Sequence, residues 1–589
     1  MKQINDELEA GNRSDTIAET TLKALGQEFR WELAFPELTA DMVERLHYYG
    51  VQESLPAGAI LYSHGQRRID MFVVLEGEID IILPSSDGES KIYVRHHKRN
   101  FTGEFNLLTS QASVVDARTV TRCNLLRISR TQFDRLMRAE GDIANVIVAA
   151  SIWRRIGIVR AGTGGVLVKG RVGTPEMMLL QRFLVRNNYP HRILDVSAED
   201  TDTDSASLPI VVVSENQILK RPSIPELADE LGITELPDPK EICDVVVVGA
   251  GPAGLAAAVY AASEGLRTTV IEGIAPGGQA GSSSKIENYL GFPAGISGQG
   301  LASRAQLQAL KFGVRFAISR EVITIEQIDG MHKLTLQDNI QICARTVVVA
   351  SGAQYRKLDV KEYPKYENCG LYYAATATEA VPCRDQEVVI VGGGNSAGQA
   401  SLFLSGIAKH VHHVVRRPSF SDTMSQYLIS RIESSRRITV YYESEVAGFI
   451  GDPSLEKVTW ADVKTGRHTT KDISTVFVMI GAEPNTGWLF GTVKLDNKGF
   501  ILTGAASGVE NSPYATSMPG IFAVGDVRAN SVKRVASAVG EGSVVISYVH
   551  RYLADHRNEF PVGPDSTVAA LRSLEQALAE VRAHDPWMS

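Results

Sequence analysis

The chain has 589 residues, of which 44% are hydrophobic and 22% charged, and its formal net charge at pH 7 is −8. These proportions are ordinary for globular proteins, and at roughly 100–200 residues per domain the length predicts about three to five domains. The acidic balance gives no indication of binding to nucleic acid or to an anionic membrane surface. No apolar run reaches about 18 residues, so we expect no transmembrane helix, and a polar N-terminus without an apolar signal core predicts a cytoplasmic protein.

The cysteines include no Cys-x-x-Cys pair, and all five stand far apart in the sequence, at Cys123, Cys243, Cys343, Cys369 and Cys383. An odd number in a long chain argues against a secreted disulfide framework. We see no spacing typical of metal ligands, so no metal site is predicted. Three histidines in one predicted strand are interpreted as packing or surface residues: His410, His412 and His413.

Composition and periodicity divide the chain into segments. A polar leader with helical character covers 1–40, a β-rich unit with helices covers 41–160, and a small α/β unit covers 165–236. Two prolines in Leu236-Pro237-Asp238-Pro239-Lys240 cannot continue a helix, so they mark the next boundary. Alternating strands and helices then fill 240–355, 356–484 and 485–555, and the tail at 556–589 has the apolar spacing of an amphipathic helix.

The unit at 41–160 reads as short strands around glycine turns. Ile60-Leu61-Tyr62 begins a strand, Phe72 to Ile79 reads as strand, turn and strand, and Phe101 to Leu108 forms a glycine-containing cassette ahead of helices over 131–158. This order resembles a cyclic nucleotide-binding domain, which implies a β-barrel followed by helices.

That resemblance makes three residues candidates for a regulatory ligand: Gly103, Glu104 and Ser113. Glu104 would accept a hydrogen bond from a ribose hydroxyl. Ser113 stands where the family has an arginine that neutralises the cyclic phosphate, and a buried phosphate without its cation is strongly unfavourable. Two interpretations stay open: cyclic-nucleotide sensing, and a regulatory domain that binds no ligand or a different one.

The small unit at 165–236 has strands at 166–168, 191–196 and 210–213, helices at 176–185 and 225–231, and Pro209 directly before its third strand. It resembles a glutaredoxin or thioredoxin fold, in which a cis proline occupies this place. The redox Cys-x-x-Cys would stand around Gly173-Thr174-Pro175-Glu176, where there is no cysteine. We therefore interpret the unit as a packing or docking module.

A first dinucleotide-binding pattern begins at residue 244. The apolar strand Asp244 to Val248 runs into Gly249-Ala250-Gly251-Pro252-Ala253-Gly254 and then a helix-forming stretch, and a following strand ends at Glu272. The glycines allow a tight turn and close approach to a pyrophosphate, the helix N-terminus faces the negative charge, and the acid can bind a ribose hydroxyl.

Three further stretches, at 277–279, 287–293 and 519–526, follow in the order found in low-molecular-weight thioredoxin reductases, which the chain resembles from Cys243 to Leu553. The resemblance implies two Rossmann-like α/β domains, with an FAD domain interrupted by an NADPH domain, and both family resemblances imply a homodimer. The candidate FAD residues are Gly249, Gly251, Pro252, Ala253, Gly254, Glu272, Gly278, Gln279, Asn288, Gly352, Gly525, Asp526, Arg534 and Val535.

A second pattern points to NADPH. The strand Glu387 to Val391 runs into a glycine turn, and the next strand ends at two arginines, which favour a 2′-phosphate over the free hydroxyl of NADH. The candidate residues are Gly392, Gly394, Asn395, Ser396, Ala397, Arg416 and Arg417. Val415 and Ser421 replace a histidine and a third arginine of the family, so we expect weaker NADPH selectivity.

The redox dithiol of the resembled family is missing. Ala374 and Ala377 occupy its two cysteine positions, and alanine can neither attack a disulfide nor be reoxidised. The predicted fold is thus multidomain: a cyclic nucleotide-binding-like β-barrel with helices, a thioredoxin-like α/β unit and two Rossmann-like domains.

The predicted function is an FAD-dependent NADPH oxidoreductase that passes electrons to an unidentified acceptor, namely a quinone, oxygen or a redox protein. Two alternatives stay open. One is a redox- or nucleotide-responsive regulatory protein, and the other is an atypical thioredoxin-disulfide reductase that uses Cys369 and Cys383.

Overall fold

The computed structural model describes residues 29–83, 91–161, 165–196, 207–214, 217–283, 286, 289–366, 370–373, 375, 380, 383–452 and 454–557. The leader before residue 29 and the tail helix predicted beyond residue 557 lie outside these ranges. Among the described helices, none is both long and apolar enough to cross a membrane.

The N-terminal unit contains eight strands: β1 (Val51–Leu55), β2 (Ile60–Tyr62), β3 (Met71–Glu76), β4 (Ile79–Leu83), β5 (Lys91–His96), β6 (Phe101–Thr102), β7 (Asp116–Thr119) and β8 (Cys123–Ile128). They form two antiparallel four-stranded sheets, with the orders β1-β8-β3-β6 and β2-β7-β4-β5. The predicted β-barrel is confirmed.

In the described part of this unit, five helices accompany the barrel: α1 (Trp31–Ala34), α2 (Ala40–Leu46), α3 (Glu104–Thr109), α4 (Arg130–Ala139) and α5 (Gly141–Ala161). Helix α4 is amphipathic, and its buried residues Phe133, Leu136 and Met137 join one hydrophobic cluster with Ile143 and Ile147 of α5. Burial of these side chains holds the two C-terminal helices against the barrel.

The small unit follows with β9 (Val166–Gly170), α6 (Pro175–Arg186), β10 (His191–Asp195), β11 (Ile210–Ser214), β12 (Gln217–Lys220) and α7 (Ile224–Glu230). Its sheet has the order β10-β9-β11-β12, parallel between β9 and β10 and antiparallel elsewhere. Every strand and helix predicted for this unit is present, and the Leu208–Pro209 peptide bond is cis.

The next domain is built on a seven-stranded sheet: β13 (Ile242–Val248), β14 (Thr268–Glu272), β15 (Arg315–Ile318), β16 (Val322–Ile328), β17 (Met331–Leu336), β18 (Gln341–Val349) and, from far downstream, a strand at Ile521–Ala523. Its order is β15-β14-β13-β18-β17-β16, and the downstream strand pairs in parallel with β18. Strand β13 is buried along almost its whole length, as expected of a parallel strand covered on both faces.

Helices α8 (Pro252–Ser263), α9 (Gly278–Gly281) and α10 (Gly298–Lys311) follow strands of this sheet, and the short strand β19 (Ala353–Tyr355) leads out of the domain. The next elements belong to the second Rossmann-like domain: α11 (Tyr363–Tyr366), β20 (Leu371–Tyr372), β21 (Glu387–Val391), α12 (Asn395–Ser405), β22 (His410–Val414), α13 (Gln426–Ser434), β23 (Ile438–Tyr441), β24 (Ser444–Ile450), β25 (Lys457–Asp462), β26 (His468–Asp472) and β27 (Val476–Val478).

This second domain has a parallel sheet of order β20-β27-β21-β22-β23 and an antiparallel sheet of order β24-β25-β26. The chain returns through β28 (Ala482–Pro484), which pairs with β19. It then adds the strand at Ile521–Ala523, now named β29, and the long helix α14 (Val535–Asp555) to the first sheet domain. One dinucleotide-type domain is thus interrupted by the other, as predicted.

The barrel unit, the small unit and the first sheet domain share one hydrophobic core. It includes Ile158 of α5, Phe183 of α6 and Phe316 of β15, all nearly inaccessible. Polar contacts join the same units: Asn188 donates to Ser303 Oγ at 2.6 Å, and Arg320 pairs with Asp229 at 2.6 Å. Continuous burial across all three units argues that they pack as one body.

Candidate functional site

The first glycine turn connects β13 to the N-terminus of α8. Gly249 has φ 104°, in the left-handed region, and a Cβ there would lie less than 3.0 Å from the carbonyl oxygen of Ala350. A Cβ on Gly254 would collide with the carbonyl oxygen of Gly249. Both positions therefore require glycine for the turn to close and for the helix to pack against it.

The space in front of α8 is kept clear by two glycines. A Cβ on Gly251, the residue that caps α8, would have only the Cα of Gly278 nearby, at 3.9 Å, and a Cβ on Gly278 would meet the Cα of Gly251 at 3.0 Å. Any larger side chain at either position would fill this gap. A narrow gap at a helix N-terminus, lined by backbone N–H groups, fits the pyrophosphate of a dinucleotide.

Glu272 ends β14 beside the turn. Its carboxylate accepts hydrogen bonds from the backbone N–H groups of Ala250 at 2.8 Å and Ile274 at 3.0 Å. A carboxylate offers about four acceptor positions, so two remain for ribose hydroxyls. The side chain therefore braces the glycine turn as well as presenting an acceptor to a ligand.

Other described FAD candidates lie on α9 and in the segments after β18 and β29, at the edge where these parallel strands end. Asp526 follows β29, and burial raises the pKa of its carboxyl, an effect that nearby Lys533 opposes. Gln279 of α9 donates to the carbonyl oxygen of Ala353, next to Gly352. Asn288 lies outside the described residues.

The start of α14 lies close to this edge of the sheet. Arg534 caps the helix and is exposed, Val535 is its first residue, and Glu541 accepts the backbone N–H of Gly525 at 2.6 Å. The contact through Glu541 ties the loop that carries Asp526 to the long helix. Sequence reasoning did not find Glu541, because an exposed-looking acid within a helix has no distinguishing motif.

The second glycine turn repeats this geometry between β21 and α12. Gly392 has φ 142°, and a Cβ there would lie within 3.0 Å of the carbonyl oxygen of Met479. Gly394 caps α12, and a Cβ on it would meet only the carbonyl oxygen of Thr423, at 3.9 Å. Asn395 and Ser396 are exposed at the start of α12, and Ala397 is buried beneath them.

Two contacts missed by the sequence reasoning hold this second turn. His413 is fully buried, and its Nε2 donates to the carbonyl oxygen of Gly392 at 2.6 Å, while Ser401 Oγ lies 2.9 Å from its Nδ1. Burial lowers the pKa of His413 to about 4, so the imidazole is neutral at pH 7. Asn395 Oδ1 accepts the backbone N–H of Ser425 at 2.7 Å, which fixes the neighbouring loop.

Arg416 and Arg417 follow β22 after Val415, and both are exposed. Because β21 and β22 are parallel, the second turn and the two arginines follow strand ends at the same edge of the sheet. Their guanidinium groups are thus available to a phosphate that binds at the end of β22. Glu443 donates its backbone N–H to the carbonyl oxygen of Arg417 at 3.1 Å, which anchors the arginine pair to the start of β24.

The cysteine positions of the resembled reductases fall largely outside the described residues, which exclude Ala374, Ala377 and Cys369. Cys383 is described and is fully buried in a hydrophobic cluster with Val388 and Leu404. Thiol–disulfide exchange requires access to the attacking sulfur, so Cys383 in this position is shielded from an external disulfide.

A separate cavity of about 70 Å³ lies inside the N-terminal barrel and is lined by all three ligand candidates of that unit. Glu104 is 2% exposed and is paired with Arg154 of α5 at 2.8 Å. Ser113 Oγ donates to the carbonyl oxygen of Val115 at 2.7 Å. Arg118 lies on β7 and is exposed, so it is not among the residues that line this cavity.

Ser113 stands at the position of the family's arginine, and the sequence reasoning missed Arg154, which brings a cation into the barrel from the following helix. Its guanidinium also lies 4.7 Å from the ring centre of Phe101. The one available signal was a pair of adjacent arginines, Arg154 and Arg155, between the mainly apolar stretches of α5.

No cluster of three or more potential metal ligands occurs among the residues that the structure describes. His412 and His413, with His410, were interpreted as packing or surface residues, and the first two are buried. His412 lies 2.8 Å from Glu387 through its Nε2.

Comparison with known proteins identifies both large parts of the chain. Residues 243–542 match the pyridine nucleotide-disulphide oxidoreductase family, and residues 52–140 match the cyclic nucleotide-binding domain. A thioredoxin reductase of Mycolicibacterium smegmatis is 33% identical over 312 residues, covering 53% of this chain and 97% of that protein. A thioredoxin reductase of Treponema pallidum is 35% identical over 317 residues, covering 54% of this chain and 98% of that protein.

Among solved structures, Lactococcus lactis thioredoxin reductase in its FR conformation is 29% identical to this chain, with a TM-score of 0.49. The match covers 53% of this chain and 99% of the Lactococcus lactis chain. The match to the oxidoreductase family extends over both glycine turns and both sheet domains. The chain therefore belongs to the pyridine nucleotide-disulphide oxidoreductase family, as an FAD- and NAD(P)H-dependent flavoprotein oxidoreductase that carries an N-terminal cyclic nucleotide-binding domain.

Proposed function

We propose that the protein oxidises NADPH and passes the electrons through FAD to an acceptor that needs no dithiol in this chain: a quinone, oxygen or a separate redox protein. The observation that carries this proposal is the pair Ala374 and Ala377 at the positions of the redox cysteines. The burial of Cys383 adds support, because a shielded thiol is a poor substitute for an exposed one.

The residues of both turns would hold the two nucleotides in this reaction. The gap between Gly251 and Gly278 fits the pyrophosphate of FAD, with Glu272 on the ribose, and Asp526 would approach the ribityl chain. Arg416 and Arg417 would hold the 2′-phosphate of NADPH. FAD, when bound, accepts a hydride from the nicotinamide and returns two electrons to the acceptor, which requires positioning rather than a protein nucleophile.

The same proposal includes the organisation of the chain. It places the cyclic nucleotide-binding domain at 41–160, the thioredoxin-like unit at 165–236, the FAD domain at 240–355 and 485–555, and the NADPH domain at 356–484. The protein would be a cytoplasmic homodimer. Support for these ranges comes from the element order, in which β19 and β28 form the two crossings between the sheet domains.

The deciding experiment is an anaerobic titration of the purified flavoprotein with NADPH while the absorption band of the flavin is followed. We expect NADPH to bleach the band, a quinone to restore it, and thioredoxin with a disulfide to leave it bleached. The variant Cys383→Ser is the matched control and should behave like the natural protein with each acceptor.

Two results would overturn the proposal. Restoration of the band by thioredoxin, lost in Cys383→Ser or Cys369→Ser, would show an atypical disulfide reductase. A flavin that stays oxidised in excess NADPH would instead favour a nucleotide-responsive regulatory protein.

A further inference from the structure

A second cavity, of about 360 Å³, lies where the barrel unit, the small unit and the FAD domain meet. Its walls come from α5, from α10 and from the loop after α6, with Ile233 and Phe316 closing one side. None of the candidate residues of the two glycine turns or of the barrel cavity lines this second cavity. Two other residues, Phe105 and Arg155, border both this cavity and the barrel cavity. Its volume is within the range of small-molecule binding sites.

Arg155 of α5 is the unusual residue of this cavity. It is 8% exposed, its Nε donates to the carbonyl oxygen of Asn188 at 2.8 Å, and its Nη2 donates to Gln111 Oε1 at 2.8 Å. The rings of Phe105 and Tyr189 lie 4.6 and 5.0 Å from the guanidinium carbon. Among the described residues, Nη1 has no hydrogen-bond partner.

All of these neighbours of Arg155 are uncharged, so a buried guanidinium has no carboxylate partner among the described residues. Burial lowers the pKa of Arg155 to about 10, and the side chain remains a cation at pH 7. A buried charge is normally compensated by an opposite charge. A bound ligand can therefore supply the negative charge that would compensate the guanidinium of Arg155.

The other lining residues indicate what the rest of that ligand is like. Polar side chains alternate with an apolar set that α5, α10 and β15 contribute to the wall: Ile152, Ile156, Val159, Leu307, Leu310 and Phe316. Glu235 is the one acid among the lining residues, and it already accepts a hydrogen bond from Ser110 Oγ at 2.8 Å. Arg155 and Arg304 leave the lining with a net positive charge. The buried guanidinium of Arg155, without a carboxylate partner and next to these apolar side chains, favours a molecule with an apolar body and one anionic group.

We propose that this junction cavity binds a small organic anion, a carboxylate on an apolar body, with Arg155 as its counter-ion. The anion would accept a hydrogen bond from Nη1, and the apolar body would lie between α5 and α10. Because the cavity touches three units, binding would stabilise their mutual packing.

The test is isothermal titration calorimetry of the full chain with octanoate, 1-octanol and inorganic phosphate as probes. We expect octanoate to bind with one site per chain, and the other two probes, which lack either the charge or the apolar body, to bind at least tenfold more weakly. Equal binding of octanol, or no binding of octanoate at millimolar concentration, would overturn the proposal.

Variants locate the site. Arg155→Gln should weaken octanoate binding at least tenfold, since a charge-assisted contact is lost. Leu307→Trp should do the same by filling the cavity without touching Arg155, so the test remains valid if the first variant does not fold. Gln308→Trp, the next residue on α10 but exposed and outside the cavity, is the matched control and should bind octanoate normally.

A competition experiment tests whether octanoate binds in the barrel cavity instead. Excess cyclic AMP, a probe for the barrel, should leave octanoate binding unchanged. Loss of octanoate binding in the presence of cyclic AMP, or unchanged affinity in Leu307→Trp, would place the anion elsewhere and refute the assignment.

Discussion

Gly540 and Gly542 lie two residues apart on α14, and the structure predicts opposite effects when each is replaced by alanine. A Cβ on Gly540 would meet no atom within 4 Å. A Cβ on Gly542 would collide with the carbonyl oxygen of Ala253 and lie 2.9 Å from the Cβ of Ala256, both on α8. Gly542 therefore permits α14 to pack directly against α8, the helix whose N-terminus we propose as part of the FAD site.

The magnitude follows from two opposing contributions. Alanine is favoured over glycine in a helix interior by about 0.8–1 kcal/mol, so Gly540→Ala should stabilise the FAD domain by about that amount. Gly542→Ala gains the same but adds an overpacking cost of about 1–3 kcal/mol, and the upper part applies because a backbone carbonyl cannot rotate away. We expect a net destabilisation of about 1–2 kcal/mol.

The assay is thermal release of FAD, followed by the rise in flavin fluorescence, in the two variants and the natural protein. At about 2–4 °C per kcal/mol for a domain of this size, the variants should differ by roughly 4–12 °C, with Gly540→Ala the higher. Gly542→Ala should also be purified with less bound flavin. Equal release temperatures in the two variants would refute the close packing of α14 on α8.

Three further outcomes are expected. Replacing Arg416 and Arg417 together by alanine should raise the KM for NADPH roughly tenfold to a hundredfold, through loss of charge-assisted contacts, with little change for NADH; a proportional change for both would contradict the phosphate role. Burial lowers the pKa of His413 from 6.5 to about 4, so between these pH values the unfolded chain binds more protons than the folded chain. The contribution of neutral His413 to the free energy of unfolding is therefore fully present above pH 6.5 and decreases as the pH falls towards 4. His413→Asn should make the thermal unfolding midpoint depend less on pH between 6.5 and 4, and an unchanged pH dependence would refute the contribution of His413 to stability. Restoring cysteine at both Ala374 and Ala377 should allow a disulfide to reoxidise the reduced flavin, measured anaerobically as above, and no gain would show that more than the dithiol is missing.

Much of this protein was predictable because its decisive signals are local. The strand–turn–helix stretch from Asp244 to Gly254 encodes its own geometry, since glycine is needed where φ is positive and where a carbonyl oxygen approaches. The position of Glu272 was predictable for a similar reason, because it ends the next strand in a regular succession of strand, helix and strand. The same logic applies to the turn at Gly392 and to the arginines after β22.

The unpredicted features depend on residues that meet only after folding. Arg154 and Glu104 are 50 positions apart in sequence, and their ion pair exists because α5 folds back over the barrel. His413 of β22 contacts Gly392, which follows the neighbouring parallel strand β21, so a residue interpreted as a surface or packing residue holds the second glycine turn. No sequence pattern identifies the partner residue in either contact.

The sequence by itself determined the order of the units, both glycine turns and the lack of a Cys-x-x-Cys pair, because each depends on residue type and near spacing. Only the tertiary structure decided how the barrel unit, the small unit and the FAD domain enclose a common cavity and leave the charge of Arg155 without a carboxylate partner among the described residues. That arrangement results from burial between distant segments, since hydrophobic packing brings surfaces together without specifying in the sequence which ones will meet.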